Sequence, residues 1–172
     1  MRPDELGAVY PHLSAIPHQV WTQFFASAER EIGILACSAS FLAQERGIVC
    51  LLVDKARSGV GVRIALRDPE SSHTAEWGEG EGIDDAVPAV IRNALALFRP
   101  LNEVENVEIR LHQTVLYSSI YRADDQLLVN QHAYGIPAAQ APVFCLRNGP
   151  RGEMTALYFD SFERVWTGAR PA

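Results

Sequence analysis

The sequence of 172 residues contains one lysine, Lys55, among its 15 basic side chains. Any mechanism that needs a catalytic or Schiff-base lysine must therefore use this position. No apolar run reaches the roughly 20 residues that a membrane-spanning helix needs. The first residues, MRPDELGAVYPH, match neither a signal peptide nor a transit peptide. These absences predict a cytoplasmic protein without a membrane partner.

Cysteine and positive charge are also scarce. The three cysteines, Cys37, Cys50 and Cys145, show no C-x-x-C spacing, which favours buried free thiols over a disulfide or a metal site. The 21 acidic side chains outnumber the basic ones, so the formal net charge is −6 and the pI is near 5.3. Because a sequence-independent nucleic-acid surface needs clustered basic residues, we expect no direct nucleic-acid binding by this chain.

Hydrophobic periodicity alternates between strand and helix along the chain. Prolines and a glycine predict an extended lead-in over residues 1–17, ahead of one domain over residues 18–172. Helical spacing covers residues 18–32, 41–59 and 83–98, and a short C-terminal helix is expected to begin at a cap on Asp160 or Ser161. The segment ESSHTAEWGEGEG is predicted to be a loop. Strands are predicted at IGILACSASF, GVRIALRDP, VEIRLH and APVFCLR, with a hairpin turning at Ala123-Asp124-Asp125.

This order of elements predicts an α/β sandwich with a mixed sheet that is parallel in its first half. In open α/β sheets, ligands bind beyond the C-terminal ends of the parallel strands. The side chains expected there follow four strands: Ser38; Arg67 and Asp68; His112 and Thr114; Asn130 and His132. Together they suit a small anionic or nucleotide-like ligand. In the alternative interpretation, Ser38 and Ser40 cap the next helix, Arg67 and Asp68 form a surface pair, and His112 is a strand histidine with satisfied hydrogen bonds.

Other chemistries have weaker support in the sequence. A serine hydrolase of the nucleophile-elbow type is not expected, because G-x-S-x-G is missing. His112 and His132 could share a metal with Asp124 or Asp125, but the spacing is not that of known metal motifs. The glycines of ARSGVGVR precede a strand instead of following one, which is the wrong context for a dinucleotide. We therefore predict neither a metal nor a cofactor.

Two features resemble the phospholipase D superfamily over roughly residues 29–166. One is a strand, the helix LAQERGIVCLLVDKARSG and the strand GVRIALRDP; the other is a long strand, a tight acidic turn and a strand that ends in an Asn-containing loop. The resemblance implies a phospholipase D-like fold, in which the motif H-x-K-x4-D supplies a nucleophilic histidine, a phosphate-binding lysine and an orienting aspartate. The segments RSGVGVRIALRDP, IRNALALFRPL, VEIRLH, TVLYSSIYRADDQLLVN and DSFERVW also resemble an uncharacterised domain found behind XRE-type helix-turn-helix modules in bacterial regulators.

The catalytic motif is not intact in either possible register. If His112 is the motif histidine, Thr114 and Ser119 stand at the lysine and aspartate positions. If Asp124 is the motif aspartate, Tyr117 and Ser119 stand at the histidine and lysine positions. An arginine, Arg67 or Arg122, would then have to hold the phosphoryl oxygens.

The missing lysine favours binding over catalysis. We predict a non-catalytic ligand-sensing or interaction domain, associated with transcriptional regulation and present as a homodimer. Two alternatives stay open. One is a phosphodiesterase or nuclease of the superfamily, active as a homodimer, with His112 as nucleophile, Arg122 or Arg67 as anion clamp and Asp124 as partner. The other is a structural dimerisation domain.

Overall fold

The computed structural model describes residues 5–72, 86–147 and 152–172. Within these residues eight strands occur: β1 Leu6–Tyr10, β2 Glu31–Leu35, β3 Gly61–Arg67, β4 Val107–His112, β5 Ser118–Ala123, β6 Gln126–Gln131, β7 Val143–Arg147 and β8 Arg170–Pro171. The helices are α1 His18–Ala26, α2 Ser40–Ala43, α3 Arg46–Arg57, α4 Ala86–Leu97 and α5 Glu153–Gly168, with short 3₁₀ turns at Leu13–Ala15, Arg99–Leu101 and Ala138–Gln140.

All eight strands belong to one sheet in the order β1-β7-β6-β5-β2-β3-β4-β8. The strands β2, β3 and β4 are parallel, whereas β5 pairs antiparallel with β2 and begins the antiparallel half. The predicted hairpin joins β5 to β6 through Asp124, whose φ of 51° lies in the left-handed region that aspartate tolerates. The predicted α/β sandwich with a mixed sheet is therefore confirmed.

Two hydrophobic clusters cover the two faces of the sheet. Ile32 and Ile34 of β2 face helices α1 to α4, whereas Leu35 faces α5. Gly33 also faces α5, and a Cβ atom there would lie 2.9 Å from Cζ of Phe162. The close approach of α5 to the sheet therefore requires glycine at this position.

Residues 5–17 are part of the domain's sheet and core, which an extended lead-in did not predict. The strand β1 pairs with β7 as an edge strand of the sheet, and Leu13 and Ile16 are buried. The first helix also ends at Ala26 and not near Ile32. It ends there because the chain turns and enters β2, where Ile32 pairs with Val62 of the central parallel strand.

Two helix boundaries were predicted wrongly. The helix expected over residues 41–59 is divided into α2 and α3 between Ala43 and Arg46. The last helix begins at Glu153, and Asp160 lies inside it, paired with Arg164 one turn later. The carboxylate of Glu5, which is distant in sequence, accepts the backbone N–H and the hydroxyl of Thr155 in the first turn of α5. No local cap is therefore needed at the start of this helix.

The cysteines are less buried than predicted. Cys37 and Cys145 are half-buried, Cys50 is exposed, and none of the three forms a disulfide. Most of the predicted loop ESSHTAEWGEGEG, and the first residues of the helix predicted over 83–98, lie outside the described residues. None of the helices in the described part of the chain is long and apolar enough to cross a membrane.

Candidate functional site

All seven side chains predicted for the site lie at one edge of the sheet. Arg67 and His112 are register partners at the ends of β3 and β4, and Asn130 pairs with Ser119 near the end of β6. Ser38 follows β2, while Asp68, Thr114 and His132 directly follow or lie close to the ends of β3, β4 and β6. The strand-end argument therefore brings the seven residues to one edge, where they have different roles.

A cavity of about 420 Å³ opens beside this edge, under the segment that connects β2 to α2. Its walls include the rings of Trp21, Phe41 and Tyr121, and its polar lining includes Ser38, Ser119 and His132. Of the predicted site residues, Ser38 and His132 line the cavity. A volume of this size is in the range of small-molecule sites in proteins.

His112 is held by the backbone through both ring nitrogens. Its Nε2 lies 3.0 Å from the carbonyl oxygen of Ala36 and donates to it, and its Nδ1 accepts the Thr114 N–H at 3.2 Å. Burial lowers the pKa of His112 to about 4, and the charge of Arg67 acts in the same direction. The ring is therefore neutral near pH 7, and neither nitrogen is available for a nucleophilic attack.

Arg67 and Asp68 are buried, at 1% and 3% exposure, so the interpretation as a surface pair is wrong. Nη2 of Arg67 donates to the carbonyl oxygen of Thr114 at 2.9 Å. The Asp68 carboxylate accepts the Glu70 N–H at 3.0 Å and Nη2 of Arg170 at 2.9 Å. Burial raises the pKa of Asp68, but these donors outweigh it and leave the pKa below its usual value. Arg67 thus holds the loop that follows β4, and Asp68 holds the loop that follows β3 and the strand β8, against the sheet.

Asn130 and Thr114 also have structural roles. Nδ2 of Asn130 donates to the carbonyl oxygens of Ala138, Ala141 and Pro142 at 3.1–3.2 Å. It thereby fixes the short turn whose Ala138 and Ala139 form part of the cavity wall. Thr114 contributes its backbone: its N–H bonds to His112 and its carbonyl oxygen to Arg67.

Sequence reasoning missed Ser119 and Tyr121 as residues that line the cavity. Ser119 Oγ lies 2.9 Å from Nε2 of His132, and Nδ1 of His132 lies 3.2 Å from the carbonyl oxygen of Leu116. Ser119 and Tyr121 are two residues apart in β5, so both side chains point to the cavity side of the sheet. One signal in the sequence could have identified Ser119 as a site residue: it stands where one register of the catalytic motif requires lysine.

The alternative catalytic residues Arg122 and Asp124 lie at the opposite edge of the sheet from His112. Arg122 pairs with Glu31 at 3.1 Å and Glu163 at 3.6 Å. The Asp124 carboxylate accepts three backbone N–H groups, those of residues 29, 30 and 31, at 2.7–2.9 Å. Within one chain, His112, Arg122 and Asp124 therefore do not form a common site. Among the described residues, no three side chains of His, Cys, Asp or Glu are placed to hold a metal ion.

Comparison with known proteins identifies the fold. No family model and no curated protein matches the sequence. A phospholipase D family member, Nuc from Salmonella typhimurium, is 15% identical, with a TM-score of 0.55 over 98% of this chain and 96% of Nuc. NucT from Helicobacter pylori is 14% identical, with a TM-score of 0.60 over 98% of this chain and 100% of NucT.

A further similar structure is that of TrmBL2, an archaeal chromatin protein with a novel mode of DNA binding. It is 14% identical, with a TM-score of 0.58 over 99% of this chain. This chain spans 55% of the length of TrmBL2. At these identities the likeness concerns the fold, and the chain has a phospholipase D-like fold.

Proposed function

We propose that this domain is a non-catalytic module that binds a small molecule in the cavity at the C-terminal edge of the sheet, and that it serves a transcriptional regulator. The observation that carries the proposal is the contrast between His112 and the cavity, which lie at the same edge. His112, the register partner of Arg67, is bonded to the backbone through both ring nitrogens, whereas an open cavity with aromatic walls lies at the same edge.

Phosphodiester cleavage of the superfamily type has little support in this geometry. That mechanism needs an imidazole nitrogen that attacks phosphorus and a cation that holds the phosphoryl oxygens. Both nitrogens of His112 are engaged, Ser119 stands at a lysine position, and Arg122 is paired with carboxylates at the other edge. Among the described residues of this edge, the cavity is the feature that can receive a ligand.

The link to a regulator rests on two further observations. The sequence resembles domains attached to helix-turn-helix modules, and TrmBL2, a DNA-binding chromatin protein, shares the fold. The net charge of −6 disfavours direct contact between this domain and phosphates. We therefore assign to the domain the sensing part of such a regulator, and to another module the contact with DNA.

The binding proposal is tested by filling the mouth of the cavity. Ala139 is exposed and lines the cavity, so Ala139→Trp should obstruct it at little cost to the fold. Ala156→Trp, at an exposed position on the other face, is the matched control.

In thermal-shift assays with a fragment library that includes AMP, phenyl phosphate and indole, binders should stabilise the wild type and the control but not Ala139→Trp. Stabilisation reaches about 2.7 kcal/mol at 100 times the dissociation constant. Equal shifts in all three proteins, or none in any, would contradict the proposal.

A hydrolysis assay separates the module from the enzymatic alternative. With bis(p-nitrophenyl) phosphate, the purified protein should release no more nitrophenol than buffer does. Release that disappears in His112→Gln, while the variant keeps the wild-type unfolding transition, would show that the protein is a phosphodiesterase.

A further inference from the structure

The hydrogen-bond directions at the polar end of the cavity follow from elementary valence. The carbonyl oxygen of Leu116 can only accept, so Nδ1 of His132 carries the proton of the 3.2 Å bond. Burial and the charge of Arg67 lower the pKa of His132, which keeps the ring neutral. In the neutral ring Nε2 is an acceptor, and Ser119 therefore donates its hydroxyl proton across the 2.9 Å bond.

The resulting relay runs from Ser119 to His132 and the carbonyl of Leu116. The one hydroxyl proton of Ser119 is therefore used inside the protein.

An oxygen lone pair is what this relay leaves for a ligand. Ser119 Oγ has two lone pairs, and because its proton is directed to His132, it can accept a further hydrogen bond but cannot donate one. Ser119 is 3% exposed and Tyr121 is 2% exposed, so a ligand atom that reaches them loses its water. An anion placed against Ser119 Oγ would meet a lone pair without compensation for its lost hydration, whereas an N–H or O–H group would find a partner there.

The other cavity walls limit the rest of the ligand. Trp21 lies 5.1 Å from Phe41 and 4.9 Å from Tyr121 between ring centroids, which makes a continuous aromatic surface. Glu45 and His18 also line the cavity, and 3.8 Å separates the Glu45 carboxylate from Nδ1 of His18. The carboxylate adds negative charge to the cavity wall. Ser38, whose Oγ accepts the Ser40 N–H at 3.3 Å, retains a hydroxyl proton for an acceptor on the same molecule.

We propose that the cavity recognises an uncharged aromatic or heteroaromatic molecule through an N–H or O–H donor that bonds to Ser119 Oγ. The inference rests on the proposed function, since it names the ligand class of the same cavity. It replaces the anionic ligand predicted from the sequence, because Arg67 and His112, the groups that suggested an anion, are used by the backbone.

Three probes of similar size test the ligand class by NMR titration of the full chain: indole, 1-benzofuran and phenyl phosphate. Benzofuran has the shape of indole but an oxygen in place of the N–H donor. Indole should bind about tenfold more tightly than benzofuran, the effect of one well-formed buried hydrogen bond. Phenyl phosphate should cause no saturable shift at cavity residues.

Two variants assign the acceptor. Ser119→Ala should reduce the indole-to-benzofuran ratio to about one, while Tyr121→Phe should preserve it because Ser119 keeps its lone pairs. An equal or tighter affinity for benzofuran or phenyl phosphate in the wild type would overturn the inference, and so would an unchanged ratio in Ser119→Ala with a native-like spectrum. If none of the probes causes shifts that Ala139→Trp abolishes, the proposed function itself fails.

Discussion

His112 and His132 lie at the same edge of the sheet, are both buried enough to stay neutral, and both feel the charge of Arg67. They differ in what their second nitrogen contacts. His112 bonds to two backbone groups and is 2% exposed, whereas half-buried His132 bonds to one carbonyl and to Ser119 in the cavity. The comparison teaches that a histidine at the functional edge of a sheet belongs to the fold when the backbone uses both nitrogens. It belongs to the site when one nitrogen serves a group that a ligand can reach.

The largest effect that can break this comparison is on stability. His112→Ala should lower the free energy of unfolding by about 3 kcal/mol, because it leaves a buried carbonyl and a buried N–H unpaired and opens a cavity. His132→Ala should cost about 1 kcal/mol, since the residue is only partly buried. Urea unfolding followed by circular dichroism measures both. A cost for His132→Ala equal to that of His112→Ala would remove the distinction between the two residues.

The pH dependence of stability should show the same contrast. The unfolded chain protonates His112 below its ordinary pKa of 6.5, but the folded chain resists protonation until about pH 4. The unfolded state thus binds more protons in this window, and stability falls as the pH drops through it, by up to about 3 kcal/mol. His132 contributes with the same sign, because its pKa is also lowered.

The control for this pH effect is His112→Gln, which does not titrate. Its stability should change less between pH 6.5 and pH 4 than that of the wild type. The carboxylates of Asp68 and Asp124 have pKa values below their usual range, so their contribution is lost at lower pH. A wild-type profile that is flat over the window would mean that His112 is protonated in the folded protein.

The sheet, and the edge at which the seven predicted residues lie, were predictable because they depend on local patterns. The strands around Ile34 and Ile64 are short apolar runs, and polar residues such as Ser38 and Arg67 follow them directly. The hairpin at Asp124 was predictable for the same reason, since turn residues are contiguous.

The partners of these residues were not predictable, because they come from distant parts of the chain. Glu5 stabilises the start of the last helix 150 residues away, and Asp124 binds backbone more than 90 residues away. The roles of the two histidines depend on which carbonyl each ring meets, Ala36 or Leu116, which the sequence does not encode locally. Ser119 and Tyr121 stand in the alternating pattern of any half-buried strand. The sequence therefore gives no sign that these two residues line a cavity.

The smallest effect, the position of one proton on each ring, tests the comparison most directly. His112 donates from Nε2 and accepts at Nδ1, whereas His132 donates from Nδ1 and accepts at Nε2. Near pH 7 the two rings should therefore be opposite tautomers. Long-range ¹H–¹⁵N correlation spectra distinguish protonated from bare ring nitrogens, and His112→Gln and His132→Gln assign the signals.

A variant at the cavity should then separate the two rings further. Ser119→Ala removes the donor to Nε2 of His132, so that nitrogen signal should move while both signals of His112 stay in place. If the two rings were the same tautomer, either the bond to Ala36 or the bond to Leu116 would be impossible, because a carbonyl oxygen accepts and never donates. The direction of the bond between Ser119 and His132, and with it the lone pairs that Ser119 offers to a ligand, depends on this single proton of His132.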